Sequence, residues 1–123
     1  MNDVIPTAFA AGMGIVAKRP IANAAFAKEE SPYGYADEYW YRSRSLVAPD
    51  GAPADRLELS LRFTLSMDEI DTAIVGTTRL DHGLRNIEVA ARGPLPAEVV
   101  ADLRRQFAEH GGGWDKWNFN EFM

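Results

Sequence analysis

The chain has no cysteine among its 123 residues, which excludes disulfides and thiolate metal sites and is the usage expected of a cytoplasmic, reducing environment. It has only two histidines, His82 and His110, set 28 positions apart with no acidic partner at ligand spacing, so no metal site is expected. It lacks an excess of cations: 13 Lys and Arg against 18 Asp and Glu give a net charge of -5, which argues against a nucleic-acid surface. It also lacks a long apolar run. The longest uncharged stretch, from Val4 to Ala17, is broken by Pro6, Gly12 and Gly14, and no basic segment precedes it. Neither a membrane span nor a secretory signal is therefore expected.

What remains is the composition of a globular protein, 46% hydrophobic and 25% charged, long enough for a single domain over residues 1–123 that buries roughly two-thirds of its unfolded surface. Asn2 or Asp3 is placed to cap a short helix through Ala11, stopped by Gly12. Met13 to Lys18 has a β-branched centre and ends at Arg19-Pro20, which predicts a strand. Glu29 to Tyr35 reads as loop, and Asp37 to Ser45 as a helix with Glu38 and Arg42 spaced to pair. The segment VAPDGAP, Val47 to Pro53, is the clearest linker.

Two patterns compete in the next stretch. Leu57, Leu59, Leu61, Phe63 and Leu65 alternate with polar residues at the period of a strand, yet Asp55 can cap a helix and Leu57, Leu61 and Leu65 form a helical stripe. Period alone leans to strand. Farther on, Leu84, Ile87, Ala90 and Ala91 predict a helical stripe over Leu80 to Ala91 with Gly93 as its stop. A last helix, Ala97 to His110, is expected to carry Val99, Val100, Leu103 and Phe107 on one side, with Arg104 and Arg105 on the solvated one. The aromatic tail 114–123, WDKWNFNEFM, is expected to dock on the body.

The richest stretch is Ile70 to Asn86, IDTAIVGTTRLDHGLRN. Ile70 to Val75 predicts a strand buried on both faces of a parallel sheet, and it passes through Gly76-Thr77-Thr78 into a helix. A Gly, two hydroxyls and the N–H groups of a helix start suit a phosphate-sized anion, although the same residues also make an ordinary strand-to-helix joint. Other groupings point to structure. Tyr33, Tyr35, Tyr39 and Tyr41 around Trp40 read as packing, and the acidic pairs Glu29-Glu30, Asp37-Glu38 and Asp68-Glu69 as solvated turns and helix starts.

GMGIVAKRPIANAAF, the helix around YADEYW, LRFTLSMDEIDTAIVGTTRLDHGLRNI and the following GPLP together resemble the C-terminal portion of a bacterial aldo/keto reductase, from about Asp3 to about Phe107. The resemblance implies an α/β fold, a partial (β/α) TIM barrel. Its two parallel strands, about 13–18 and 70–75, would correspond to the family's seventh and eighth, with four to six helices around them. It also implies that the alternating stretch is a helix, Asp55 to Ser66, against its period. In that family NADP(H) lies across the ends of these strands. Lys18, Arg19, Pro20, Ile21 and Ala22 would then face its nicotinamide and pyrophosphate. Gly76, Thr77, Thr78 and Arg79 would lie near the adenosine 2′-phosphate, with His82 and Asn86 beyond them near the phosphate and adenine.

The resemblance departs at two positions, since well-known versions of this turn carry Lys where Gly76 stands and Arg where His82 stands. NADP against NAD therefore stays open, with Arg79 placed to supply a bidentate cation. The family's catalytic Asp, Tyr, Lys and His come from the first half of the barrel, which this sequence does not include. No catalytic residue is thus assigned here, and no self-sufficient carbonyl reduction is expected. Two short parallel strands leave unpaired edges, so a homo-oligomer formed through those edges, or docking with a separately encoded barrel half, is expected. A non-enzymatic assembly module and a split reductase complemented in trans are the alternatives.

Overall fold

The computed structural model describes residues 4–112, a mixed α/β arrangement with one two-stranded parallel sheet. In chain order come α1 (Val4–Ala10), β1 (Val16–Lys18), tight 3₁₀ turns at Ala22–Ala27 and Gly34–Ala36, and α2 (Asp37–Arg44). There follow α3 (Arg56–Leu65), β2 (Thr72–Ile74), α4 (Leu80–Ala91) and α5 (Ala97–His110). The expected cap at Asn2 or Asp3 and the tail 114–123 lie outside the described residues. No described helix is long and apolar enough to cross a membrane.

The alternating leucines resolve as helix. Asp55 accepts from the Leu57 amide at 3.0 Å, and inside the helix Arg62 reaches Glu58, four residues back, at 2.8 Å. A cap and an i,i+4 ion pair are local helical devices that a period-two pattern does not register. The burial follows the helix, with Glu58, Leu59 and Leu61 inside. Leu59 packs with Leu95 and Val99 from the start of α5, and Ala52, Phe63, Val100 and Leu103 close over them.

Glu58 joins three segments. Only 8% exposed, it accepts from Arg62 with one oxygen and from Arg92, at the C-terminal end of α4, with the other. Arg62 also donates to the carbonyls of Gly93 and Pro94, at 2.9 and 2.8 Å. A buried carboxylate is tolerable only when its lone pairs are met this way. Gly93, at a φ of +78°, makes the left-handed turn that ends α4 and presents its carbonyl to Arg62.

Three expectations about burial need correction. The stripe Leu84, Ile87, Ala90, Ala91 is not the packed face of α4: Leu84 and Ile87 are 54% and 68% exposed, and Val89 is buried instead. The ion pairs Arg85–Asp55 and Arg92–Glu58 decide this, because residues 85, 89 and 92 share one helical face and both arginines reach toward α3. On α5, Phe107 is exposed and Gln106 is buried. The Gln106 amide spans the backbone of Val47, accepting from its N–H at 2.8 Å and donating to its carbonyl at 2.9 Å.

The third correction concerns the strands, which are three residues each and not six. They pair in register Val16↔Thr72, Ala17↔Ala73, Lys18↔Ile74. Upstream, the Asp71 carboxylate takes the Ile15 amide at 2.6 Å, and downstream Arg19 turns to a φ of +59°. Both events end the ladder. Nor is the sheet buried on both faces, for Val16 and Ile74 are 53% and 60% exposed. Every described strand is an edge strand, with β2 leaning on α3.

Between β1 and α2 the backbone is strained. Arg19, Ala22, Asn23, Ala24 and Tyr33 all have positive φ without being glycine. Such residues cost on the order of 1–3 kcal/mol each and persist only where their surroundings hold them.

Candidate functional site

Because β1 and β2 run parallel with Lys18 opposite Ile74, the chain leaves both strands at the same end of the sheet. One set of sequence-predicted residues, Lys18 to Ala22, follows β1, and the other, Gly76 to Arg79, follows β2. The carboxyl ends of parallel strands are where α/β proteins assemble ligand sites, because the loops there are free of the sheet's own pairing.

The first set is built around Arg19. Its guanidinium donates to the Tyr39 hydroxyl at 3.4 Å and lies over the Tyr35 ring, 5.0 Å from the centroid. The hydrogen bond to Tyr39 raises the guanidinium's pKa above its ordinary value. Pro20, Ile21 and Ala22 are half-buried, and Lys18 is exposed. Tyr35 and Tyr39 meet edge to face at 6.5 Å, as do Trp40 and Tyr41 at 5.1 Å. The rings touch in these pairs, yet Tyr33, Tyr35 and Tyr41 are all exposed, so of the four tyrosines expected to pack only Tyr39 is half-buried.

The second set is an open turn. Gly76, Thr77, Thr78 and Arg79 are all exposed, and Gly76 has an ordinary φ with nothing within 4 Å of where a Cβ would stand. No packing within the chain requires glycine there. The space beside it is open to a ligand or to a longer side chain. The Thr77 hydroxyl accepts from the Arg79 amide at 3.2 Å, fixing the bend into α4. Arg79 is the N-cap in an extended conformation and offers no side-chain acceptor to the first turn of the helix. The positive end of α4 is met instead by Asp81 in its first turn, whose carboxylate accepts from the backbone N–H groups of residues 81 and 82.

Sequence reasoning missed the partner of Arg79. Its Nε and Nη2 donate to the two oxygens of Asp81 at 3.0 and 2.7 Å, a bidentate fork of the kind a phosphate would also make. Arg79 holds the Asp81 carboxyl below the usual carboxylate range. The signal lay in an acid two positions past the arginine, in the first helical turn. The pair is 64% and 62% exposed, so solvent and salt compete with it easily.

His82 and Asn86 follow Arg79 by three and seven residues, which sets them along one side of α4. His82 is exposed. Asn86 is half-buried, and its Oδ1 is shielded from water with no hydrogen-bond donor among the described residues. Of the features that suit the phosphate end of a dinucleotide, the residues present offer an open glycine and two exposed threonines, while Asp81 occupies both the guanidinium and the helix start, so an entering phosphate has to displace that carboxylate.

Elsewhere, a shallow depression of about 410 Å³ lies between residues 45–50 and α5, lined in part by Asp50, Asp102, Arg105 and Glu109. The charges on α5 are engaged with one another, since Asp102 pairs with Arg105 and accepts from Gln106 at 2.8 Å, and Arg105 also pairs with Glu109. Among the described residues, no three His, Asp or Glu side chains are grouped so as to hold a metal ion. No family model, curated protein or solved structure matches this chain.

Proposed function

We propose that this chain is an aldo/keto reductase-like fragment of a (β/α) barrel that retains a nucleotide-phosphate-binding turn and does not reduce carbonyls by itself. The observation that carries the reading is the parallel register of β1 and β2, with both candidate loops at one strand end and one of them leading through an open turn into α4. Gly76, Thr77, Thr78 and Arg79 would hold the adenosine 2′-phosphate of NADP(H), with His82 and Asn86 beside the adenine. Lys18, Arg19, Pro20, Ile21 and Ala22 would face the remainder of the cofactor. NADP(H) supplies a hydride when bound, and none of these residues is assigned a part in transferring it. Binding is weak on this reading, because the phosphate end alone sets few contacts against the entropy of association. The cytoplasm suits such a protein, in keeping with a sequence free of cysteine.

Tryptophan fluorescence titrated with NADPH and with NADH tests the reading. NADPH is expected to saturate at micromolar to millimolar concentration. Arg79→Ala is expected to weaken NADPH by about fivefold and NADH much less, because only the former presents a 2′-phosphate to the guanidinium. No saturation, or equal weakening of both, overturns it.

A second reading is favoured by a separate observation, the exposure of Val16, Ile74, Leu80, Leu84 and Ile87 on and beside an unpaired sheet. On it, the chain is an assembly module whose strand edges pair with a second copy or with a separately encoded barrel half. Neither nucleic acid nor membrane is a partner in either reading. Sedimentation at increasing concentration decides whether copies pair, and a monodisperse monomer throughout removes self-assembly.

A further inference from the structure

The segment between β1 and α2 holds five non-glycine residues at positive φ within 15 positions. Three are consecutive, Ala22, Asn23 and Ala24, at φ of 47°, 54° and 54°. Tyr33, at φ 58° and ψ 167°, occupies a region almost reserved for glycine. The local hydrogen bonds do not explain this. Ala22 and Ala24 donate to Arg19 and Ile21 across single turns, and a right-handed turn supplies the same bonds without the clash at Cβ.

What holds the segment comes from outside it. Arg19 is gripped by Tyr39 and Tyr35, and Asn23 Nδ2 donates to the Tyr35 hydroxyl at 2.8 Å. The Lys28 carbonyl accepts from Trp40 Nε1 at 3.0 Å and from Arg44 at 2.6 Å, while Arg44 stacks over the Trp40 ring. All these partners lie on α2 or the turn that leads into it. Most of the bonds face solvent, where a hydrogen bond is readily exchanged for water. Ala25, 2% exposed, is the one fully buried residue of the segment, and Pro20, Ile21, Ala22, Ala24 and Phe26 are only half-buried. Left-handed strain is thus opposed by partial burial against α2 and by hydrogen bonds that mostly face solvent, which is the balance of an element with two accessible states.

We propose that residues 19–34 form a strap that alternates between this clasped, left-handed form, held by the aromatic face of α2, and a released form. In the released form Ala22 to Ala24 relax to ordinary backbone, Ala25 is uncovered and the carboxyl end of β1 is freed. The strap is a property of the fold and does not depend on what that strand end binds.

Native-state hydrogen exchange on the full chain tests this. In the wild type the amides of Ala22, Ala24 and Lys28 are expected to exchange about a hundredfold faster than the interior of α3, by an opening insensitive to low denaturant. The double variant Ala22→Gly/Ala24→Gly removes the clash that release would relieve and is expected to slow those amides about tenfold. Tyr35→Phe deletes the hydroxyl that holds Asn23 and is expected to speed them by a similar factor while α3 is unchanged. Tyr33→Gly loses a side chain that is largely in water and gives an independent slowing should the double variant not fold. Exchange of these amides at the rate of α3 overturns the strap, as do glycine variants that leave it unaltered or faster. A Tyr35→Phe variant with wild-type exchange removes the clasp and the proposal with it.

Discussion

The region around Glu58 and the region around the sheet are built on opposite plans. In the first, α3, the C-terminal end of α4 and the start of α5 converge on one carboxylate and one apolar cluster, and buried donors and acceptors are met. In the second, two strands of three residues pair only with each other among the described residues, large aliphatic side chains face outward, and the loops carry strain or open turns. The difference is one of packing: one region fixes the chain, and the other leaves strand ends and edges exposed. Ligand sites are commonly drawn from the less stable end of a structure in this way.

Glu58→Ala is expected to have the largest effect. It leaves Arg62 half-buried without its carboxylate and is expected to cost about 3 kcal/mol in urea unfolding. A loss below about 1 kcal/mol would mean that the ion cluster is not what joins α3 to α4. Asp55→Ala comes next, at about 1 kcal/mol, because it removes the helix cap and the partner of Arg85 together. Circular dichroism of that variant should show the loss in helix content near α3.

The paired change Ile74→Ser and Ile87→Ser is expected to alter monomer stability by no more than about 0.5 kcal/mol, as both side chains are mostly in water. If copies assemble through this face, the same variant should sediment as monomer, and a large destabilisation would instead show that the sheet region has a packed core after all. The smallest effect is electrostatic. Arg105, and then Gln106, hold the Asp102 carboxyl below its usual range. Its folded-state pKa is depressed, so the stabilisation is complete above about pH 4 and is lost as pH falls through the lower, folded value. Asp102→Asn should flatten the acid side of the stability profile, read from melting temperature between about pH 5 and pH 2.

The comparison also marks what a sequence shows. α2, α4 and α5 were legible because capping signals, glycine stops and i,i+4 pairs are local. Their burial was less so. The packed face of α4 is chosen by Arg85 and Arg92 reaching across to Asp55 and Glu58, 30 and 34 positions away, and apolar periodicity is blind to that choice. Gln106 and Asp81 were missed for the same reason, as each acts through a partner and not through a pattern. The turn between β2 and α4 is legible as a turn because Gly76 to Arg79 are four adjacent residues.

Gln106 offers a practical handle. By taking both the N–H and the carbonyl of Val47, one side chain stands in for a rung of a ladder and moors the start of the connection, while Asp55 moors its end at α3. The stretch between the two moorings holds Pro49, Asp50 and Gly51, whose own bonding is one short turn. Extra residues grafted there should be borne at little more than the slowly growing entropy of a longer loop. A fluorophore or affinity tag could therefore be inserted at Gly51 while the strand ends stay untouched.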